Sequence, residues 1–126
     1  MGFRSNVYIK CEEKAFELFK DAFSKAEQNP DSLEKTENDI YKFSWNWIKW
    51  NQYYGDIQVF EDILSQLCSE EFDLLEGYAF KAIWIHEDDS TEIRMNSSGD
   101  NAFEDFYITV DVSEYFSDSV DESLLE

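Results

Sequence analysis

The chain has 126 residues, of which 43% are hydrophobic and 17% aromatic, with 29 acidic residues against 10 basic ones and a formal net charge of −19. This length suits one domain, and the aromatic content excludes an acidic disordered chain. No apolar run approaches the ~18–20 residues of a membrane span, and polar residues from Arg4 to Asn6 interrupt any signal-peptide core, so the sequence points to the cytosol.

Val7–Cys11 alternates apolar and polar residues, a short strand signal. From Glu12 to Gln28, Ala15, Phe16, Leu18, Phe19, Ala22, Phe23 and Ala26 recur at helical spacing. Glu12 and Glu13 suit the helix dipole in the first turn, and Asn29-Pro30-Asp31 ends the helix. Residues 31–39 read as a polar loop. Ile40–Ile48 then reads as a strand, with Tyr41, Phe43, Trp45 and Trp47 on one face. Trp45 and Trp47 are expected in the core.

A second amphipathic helix is predicted over Asp56–Cys68, with Asp56 as N-cap. Tyr78–His86 is apolar on both parities, which predicts a strand near the sheet centre, covered on both sides. Glu87–Ser90 reads as a turn, Thr91–Asn96 as its hairpin partner, Ser97–Asn101 as another turn, and Phe106–Val112 as a last strand. The expectation is a single α+β domain over residues 1–116, in the order β-α-β-α-β-β-β. Two helices pack on one face of a mostly antiparallel sheet, and residues 117–126 form a flexible acidic tail.

Motifs for chemistry are sparse. His86 is the one histidine, beside Glu87, Asp88 and Asp89, and no second His or nearby Cys completes a transition-metal set. A strand-end histidine near a solvated turn is the favoured reading. Cys11 and Cys68 both sit in apolar patterns and read as two buried thiols. The four glycines permit neither a dinucleotide fingerprint nor a Walker loop. The sequence therefore calls for no enzyme activity, no cofactor and no metal. Direct nucleic-acid binding is disfavoured because the charge has the wrong sign, and no membrane partner is indicated.

The charge is unevenly placed. Residues 1–49 hold eight Lys/Arg and nine Asp/Glu, a net of −1. Residues 50–126 hold only Lys81 and Arg94 against 20 acids, a net of −18. A small domain needs a net charge of only about 2–8 in magnitude for solubility. The candidate binding surface is therefore acidic: Glu87, Asp88, Asp89, Glu92, Asp100, Glu104, Asp105, Asp111 and Glu114. Carboxylates in a row can occupy the positions where a basic groove expects phosphates, and Arg binds either group bidentately. The expected partner is a basic nucleic-acid-binding protein. Two alternatives stand beside it. One is a protein-interaction module built on Trp50, Tyr53 and Tyr54, with acidity serving solubility. The other is a small-ligand binding or sequestering protein with a pocket near His86.

The opening Met1-Gly2-Phe3-Arg4-Ser5-Asn6-Val7 resembles small acidic proteins encoded by phages and prophages, many of which begin Met-Gly-Tyr-Arg-Ser and a first strand. The likeness continues through the Trp- and Tyr-rich second strand, the helix beginning Asp56-Ile57 and the strand ending Ile83-Trp84-Ile85-His86-Glu87-Asp88. Phe3 replaces the usual Tyr, and His86 falls where those proteins often carry Gly. The resemblance implies a phage context in a host cytoplasm. It also implies an inhibitor of host defence of the anti-CRISPR or anti-restriction type, whose partner is a defence nuclease or effector complex.

Overall fold

A computed structural model describes residues 4–51, 53–107 and 116–126. Among these the chain forms an α+β domain: β1 (Arg4–Cys11), α1 (Glu13–Ala26), β2 (Ser32–Lys35), β3 (Tyr41–Lys49), α2 (Gly55–Leu67), β4 (Phe80–His86), β5 (Thr91–Met95), α3 (Ser97–Ala102) and a closing 3-10 turn (Glu122–Leu125). The five strands lie in the order β2-β3-β1-β4-β5, and every neighbouring pair is antiparallel.

Alternation along the strands divides the core in two. Val7, Ile9, Phe43, Trp45, Phe80, Ala82 and Trp84 face α1 and α2, where they meet Phe16, Phe19, Phe23, Ile57, Phe60 and Leu64. Both helices thus cover one face, and their apolar stripes explain why. On the other face Tyr8, Ala79 and Ile83 lie under Phe103, Phe106 and Phe116. β4 is covered on both sides, in keeping with its two apolar parities.

α1 begins without a side-chain cap. Its orphan amides find a tertiary acceptor instead: Lys14 and Ala15 N–H both donate to Gly77 O at 3.1 Å. Gly77 sits at φ +90°, and a Cβ there would lie 2.8 Å from Lys14 Cδ, so any other residue would be strained.

Several expectations are corrected. Residues 31–39 are not all loop: Leu33 is buried and Glu34 pairs with Lys42 across the strands at 2.8 Å, making β2 too short to show a period. Ser97–Asn101 is the body of α3, because the buried Asn96 side chain accepts from Gly99 N–H and caps the helix. Tyr54, not Asp56, occupies the N-cap of α2, and Asp56 lies in its first turn. Cys11 is buried as expected, whereas Cys68 is exposed; both are free.

Residues 117–126 are not a free tail. Leu33 N–H donates to Ser119 O, Asp121 N–H donates to Leu33 O, and Leu124 and Leu125 pack on the core. These leucines give the acidic segment an apolar anchor. The last strand expected over Phe106–Val112 falls mainly outside the described residues; Phe106 and Tyr107 are not in a strand.

Trp47 is the largest correction. Strand parity puts it in the core, but it is 50% exposed while Trp45 is 1% exposed. The β1/β3 register slips between Ser5↔Ile48 and Val7↔Trp45, so Asn6 faces both Asn46 and Trp47. This is a β-bulge, and the extra residue turns the following side chains to the opposite face. Trp47 sits at φ +59°, a conformation that disfavours a bulky residue. The bulge is held from β1: Asn6 Oδ1 accepts Trp47 N–H at 2.8 Å and Arg4 donates to Trp47 O at 3.0 Å.

Candidate acidic interface

The turn between β4 and β5 is closely specified. His86 N–H donates to Ser90 O at 2.8 Å, Asp89 N–H donates to His86 O at 2.9 Å, and Asp89 takes φ +66°. These are the features of a three-residue hairpin loop: a turn followed by a left-handed residue. Asp88 Oδ1 accepts from the N–H and hydroxyl of Ser90, which holds its carboxyl below the ordinary value. Glu87 is tied to β1 in both directions, since its carboxylate accepts Arg4 N–H and its own N–H donates to Arg4 O. Glu87, Asp88 and Asp89 are all exposed.

Arg4 thus bridges the acidic turn and the Trp47 bulge. β3 also leaves the sheet at this end, into the connection carrying Trp50, Tyr53 and Tyr54. Trp50 belongs to the core: its ring meets Trp45, Phe60 and Trp84, and its Nε1–H donates to Glu61. Tyr53 and Tyr54 are exposed, Tyr53 at 82%. The acidic turn and the exposed aromatics of the alternative reading therefore share one end of the sheet.

The remaining candidates separate. Glu92 is half-buried and held by Arg94 at 2.6 Å, with His86 Nε2 at 3.6 Å. Asp100 and Glu104 lie beyond the far end of β5, about 20 Å from the turn at ~3.3 Å per residue. Exposed Glu70, Glu71 and Glu76 belong to the loop whose Asp73 carboxylate receives Ser97 at the start of α3. Asp105 acts on Lys10 beneath the second face. The edge strand β5 is therefore flanked by acidic groups at both ends, rather than carrying one continuous row. Asp111 and Glu114 lie outside the described residues.

His86 joins a polar chain that sequence reasoning did not foresee. Ser5 Oγ lies 2.6 Å from His86 Nδ1, and the chain continues through Glu92, Arg94 and Glu61 to Trp50. A serine, a histidine and a glutamate in sequence invite a nucleophile reading, but Ser5 is only 1% exposed. Its place under the hairpin makes the chain a root for the acidic turn. Only the neighbour relation β1–β4, fixed by long-range pairing, brings Ser5 and His86 together.

Among the described residues no group of three or more His, Cys, Asp or Glu is placed to hold a metal ion, and no helix is long and apolar enough to cross a membrane. A shallow cleft of about 420 Å³ lies beside the docked C-terminal segment, lined by Lys20, Phe23, Ser24, Glu27, Asn29 and Leu125, away from His86. No protein-family profile, no curated protein and no solved structure matches the chain.

Proposed function

We propose that the protein is a non-catalytic inhibitor that docks its acidic surface on the basic nucleic-acid-binding groove of another protein, of the host-defence type implied by the phage resemblance. The observation that supports this most is the fate of the two cations after Lys49. Lys81 is 6% exposed and donates to Phe103 O at 3.2 Å. Arg94 stacks on Trp84 and is held between Glu61 and Glu92. Burial disfavours the Arg94 charge, yet the bonds from these two carboxylates outweigh it and raise its pKa. Neither cation is left free to offset Glu87, Asp88 and Asp89, and the Glu87 and Asp88 carboxylates are already held by Arg4 N–H and by Ser90. Preset charges of one sign speed association and make it salt-sensitive.

The test is an affinity column carrying this protein, loaded with bacterial host lysate and eluted with a salt gradient. The expected result is a basic nucleic-acid-binding protein released at moderate salt and displaced by competing nucleic acid. It should be retained poorly by the E87Q/D88N/D89N variant. A partner that survives high salt, ignores nucleic acid and binds the triple variant equally would refute the proposal. Loss of that partner on Tyr53→Ala would then move the contact to the aromatic connection.

A further inference from the structure

Among the described residues β5 is the outer strand of the sheet, and no strand pairs with its outward hydrogen-bonding edge. The bond from His86 N–H to Ser90 O fixes which residues of the hairpin face inward. By alternation Glu92 and Arg94 bond toward β4, while Thr91, Ile93 and Met95 turn their N–H and C=O groups outward. Among the described residues only one of these outward groups is taken: Met95 O accepts the Cys68 thiol at 3.6 Å. Sheet edges of this kind are commonly blunted by charged side chains or a covering segment. Here the charged pair Glu92 and Arg94 points to the helix face and is tied to Glu61. The other face of the strand shows Ile93 and Met95, 42% and 37% exposed, beside half-buried Ile85.

We propose that β5 is a strand-addition surface. Its occupant is an extended segment of the partner that alternates apolar with basic residues. Main-chain bonds to Thr91, Ile93 and the Met95 amide would supply affinity, and alternate side chains the selectivity. The apolar side chains would lie on Ile93 and Met95. The basic ones would reach the acids at the two ends of the strand, Glu87–Asp89 and Asp100–Glu104. Charge selects this occupant over a second copy, because two chains of net charge −19 repel each other along an edge flanked by carboxylates. The inference rests on the reading above that the partner is basic, and adds how the partner is held.

The probe is a synthetic eight-residue peptide alternating valine and lysine, titrated into isotope-labelled protein and followed by amide NMR. The control is the same peptide N-methylated along one edge, which keeps charge and side chains but removes pairing. Expected are shifts and new exchange protection at the Thr91, Ile93 and Met95 amides. The methylated edge should weaken binding by roughly tenfold or more, the worth of one to two hydrogen bonds. Ile93→Pro, which deletes an outward N–H and no bond to β4, should do the same. Absence of binding, equal binding of the methylated peptide, shifts confined to the acidic ends, or β5-to-β5 self-association would each overturn strand addition. The lysate column separates this from the broader reading. A basic protein retained equally by the wild type and Ile93→Pro keeps the acidic docking and removes the edge. Peptide pairing without a retained basic protein does the reverse.

Discussion

Asn96 is the residue on which the α3 end of the sheet, opposite the Glu87–Asp89 turn, hangs, and its removal should be among the most damaging single changes in the protein. It is 2% exposed and its side chain makes four bonds. Oδ1 accepts Phe80 N–H at 3.2 Å and Gly99 N–H at 2.8 Å, while Nδ2 donates to Leu67 O at 3.1 Å and Tyr78 O at 2.8 Å. One amide thus joins the end of α2, the start of β4 and the cap of α3. Gly99 is part of the same joint, since a Cβ there would lie 1.8 Å from Phe80 O. Asn96→Ala leaves four main-chain groups unpaired. At roughly 1 kcal/mol each the loss is about 4 kcal/mol, a large share of the ~5–15 kcal/mol that holds a small domain together. Urea unfolding followed by tryptophan fluorescence measures it, with buried Trp45 and Trp84 as reporters. A loss below about 1 kcal/mol would refute the account of Asn96 as a joint. Asn96→Asp sharpens the test: it keeps the acceptor but sets a buried carboxylate against two carbonyls. That raises the folded-state pKa above the unfolded value, so this variant should be most stable at low pH and weaken as pH rises.

Trp47→Gly should leave stability unchanged or raise it, because release of left-handed strain worth about 1–2 kcal/mol offsets the contact of a half-exposed ring. Trp45→Ala should cost about 3–5 kcal/mol, and comparable losses for the two in urea melts would contradict the bulge. Cys68 should alkylate slowly for an exposed thiol at neutral pH, since partial burial and the nearby Asp73 charge raise its pKa. Cys11, pushed far up by burial, should react only on unfolding; thiol counting in native and denatured protein checks both. Hydrogen bonds from the Ser97 hydroxyl and N–H hold the Asp73 carboxyl below its ordinary value. Its contribution is therefore present above about pH 4 and lost as pH falls through the lowered folded value. The protection of the Ser97 amide, the intrinsic exchange rate at a given pH divided by the observed rate, should fall on acidification, and in Asp73→Asn that pH dependence should flatten.

What the sequence discloses follows the range of the interactions involved. α1 and β4 are legible because a period of 3.6 or a doubly apolar run is written in consecutive residues. The turn Glu87–Ser90 is legible for the same reason, its composition being local. Trp47 is misread because the parity break comes from Asn6, 41 positions away, whose side chain takes the Trp47 amide. α3 is misread because Ser97-Ser98-Gly99-Asp100-Asn101 has poor helix propensity, and its caps arrive from Asp73 and the buried Asn96. β2 shows no period in four residues and exists through its pairing with β3. The acidic residues can be counted in the sequence, but the pairing of Glu92 with Arg94 and the influence of Asp105 on Lys10 depend on contacts that only the folded sheet creates.

The same distinction bears on the charge. A net of −1 over residues 1–49 gives no hint of how the cations are spent. Lys10 lies directly opposite Lys42 on one side and Lys81 on the other, so three lysines form a row across β3, β1 and β4 on the second face. Like charges so placed repel, and burial followed by Lys42 lowers the pKa of Lys10. The row is tolerable because Glu34 pairs with Lys42, Asp105 opposes the repulsion at Lys10, and Phe106 and Phe116 lie against the ammonium groups of Lys10 and Lys42. Lys25 and Lys35 are paired with Asp21 and Asp39 on the surface. With Lys81 and Arg94 also withdrawn, much of the basic complement is engaged within the fold. A partner approaching β5 then meets Glu87–Asp89 at one end and Asp100 and Glu104 at the other, with Lys81 buried and Arg94 held between Glu61 and Glu92 rather than free to offset them.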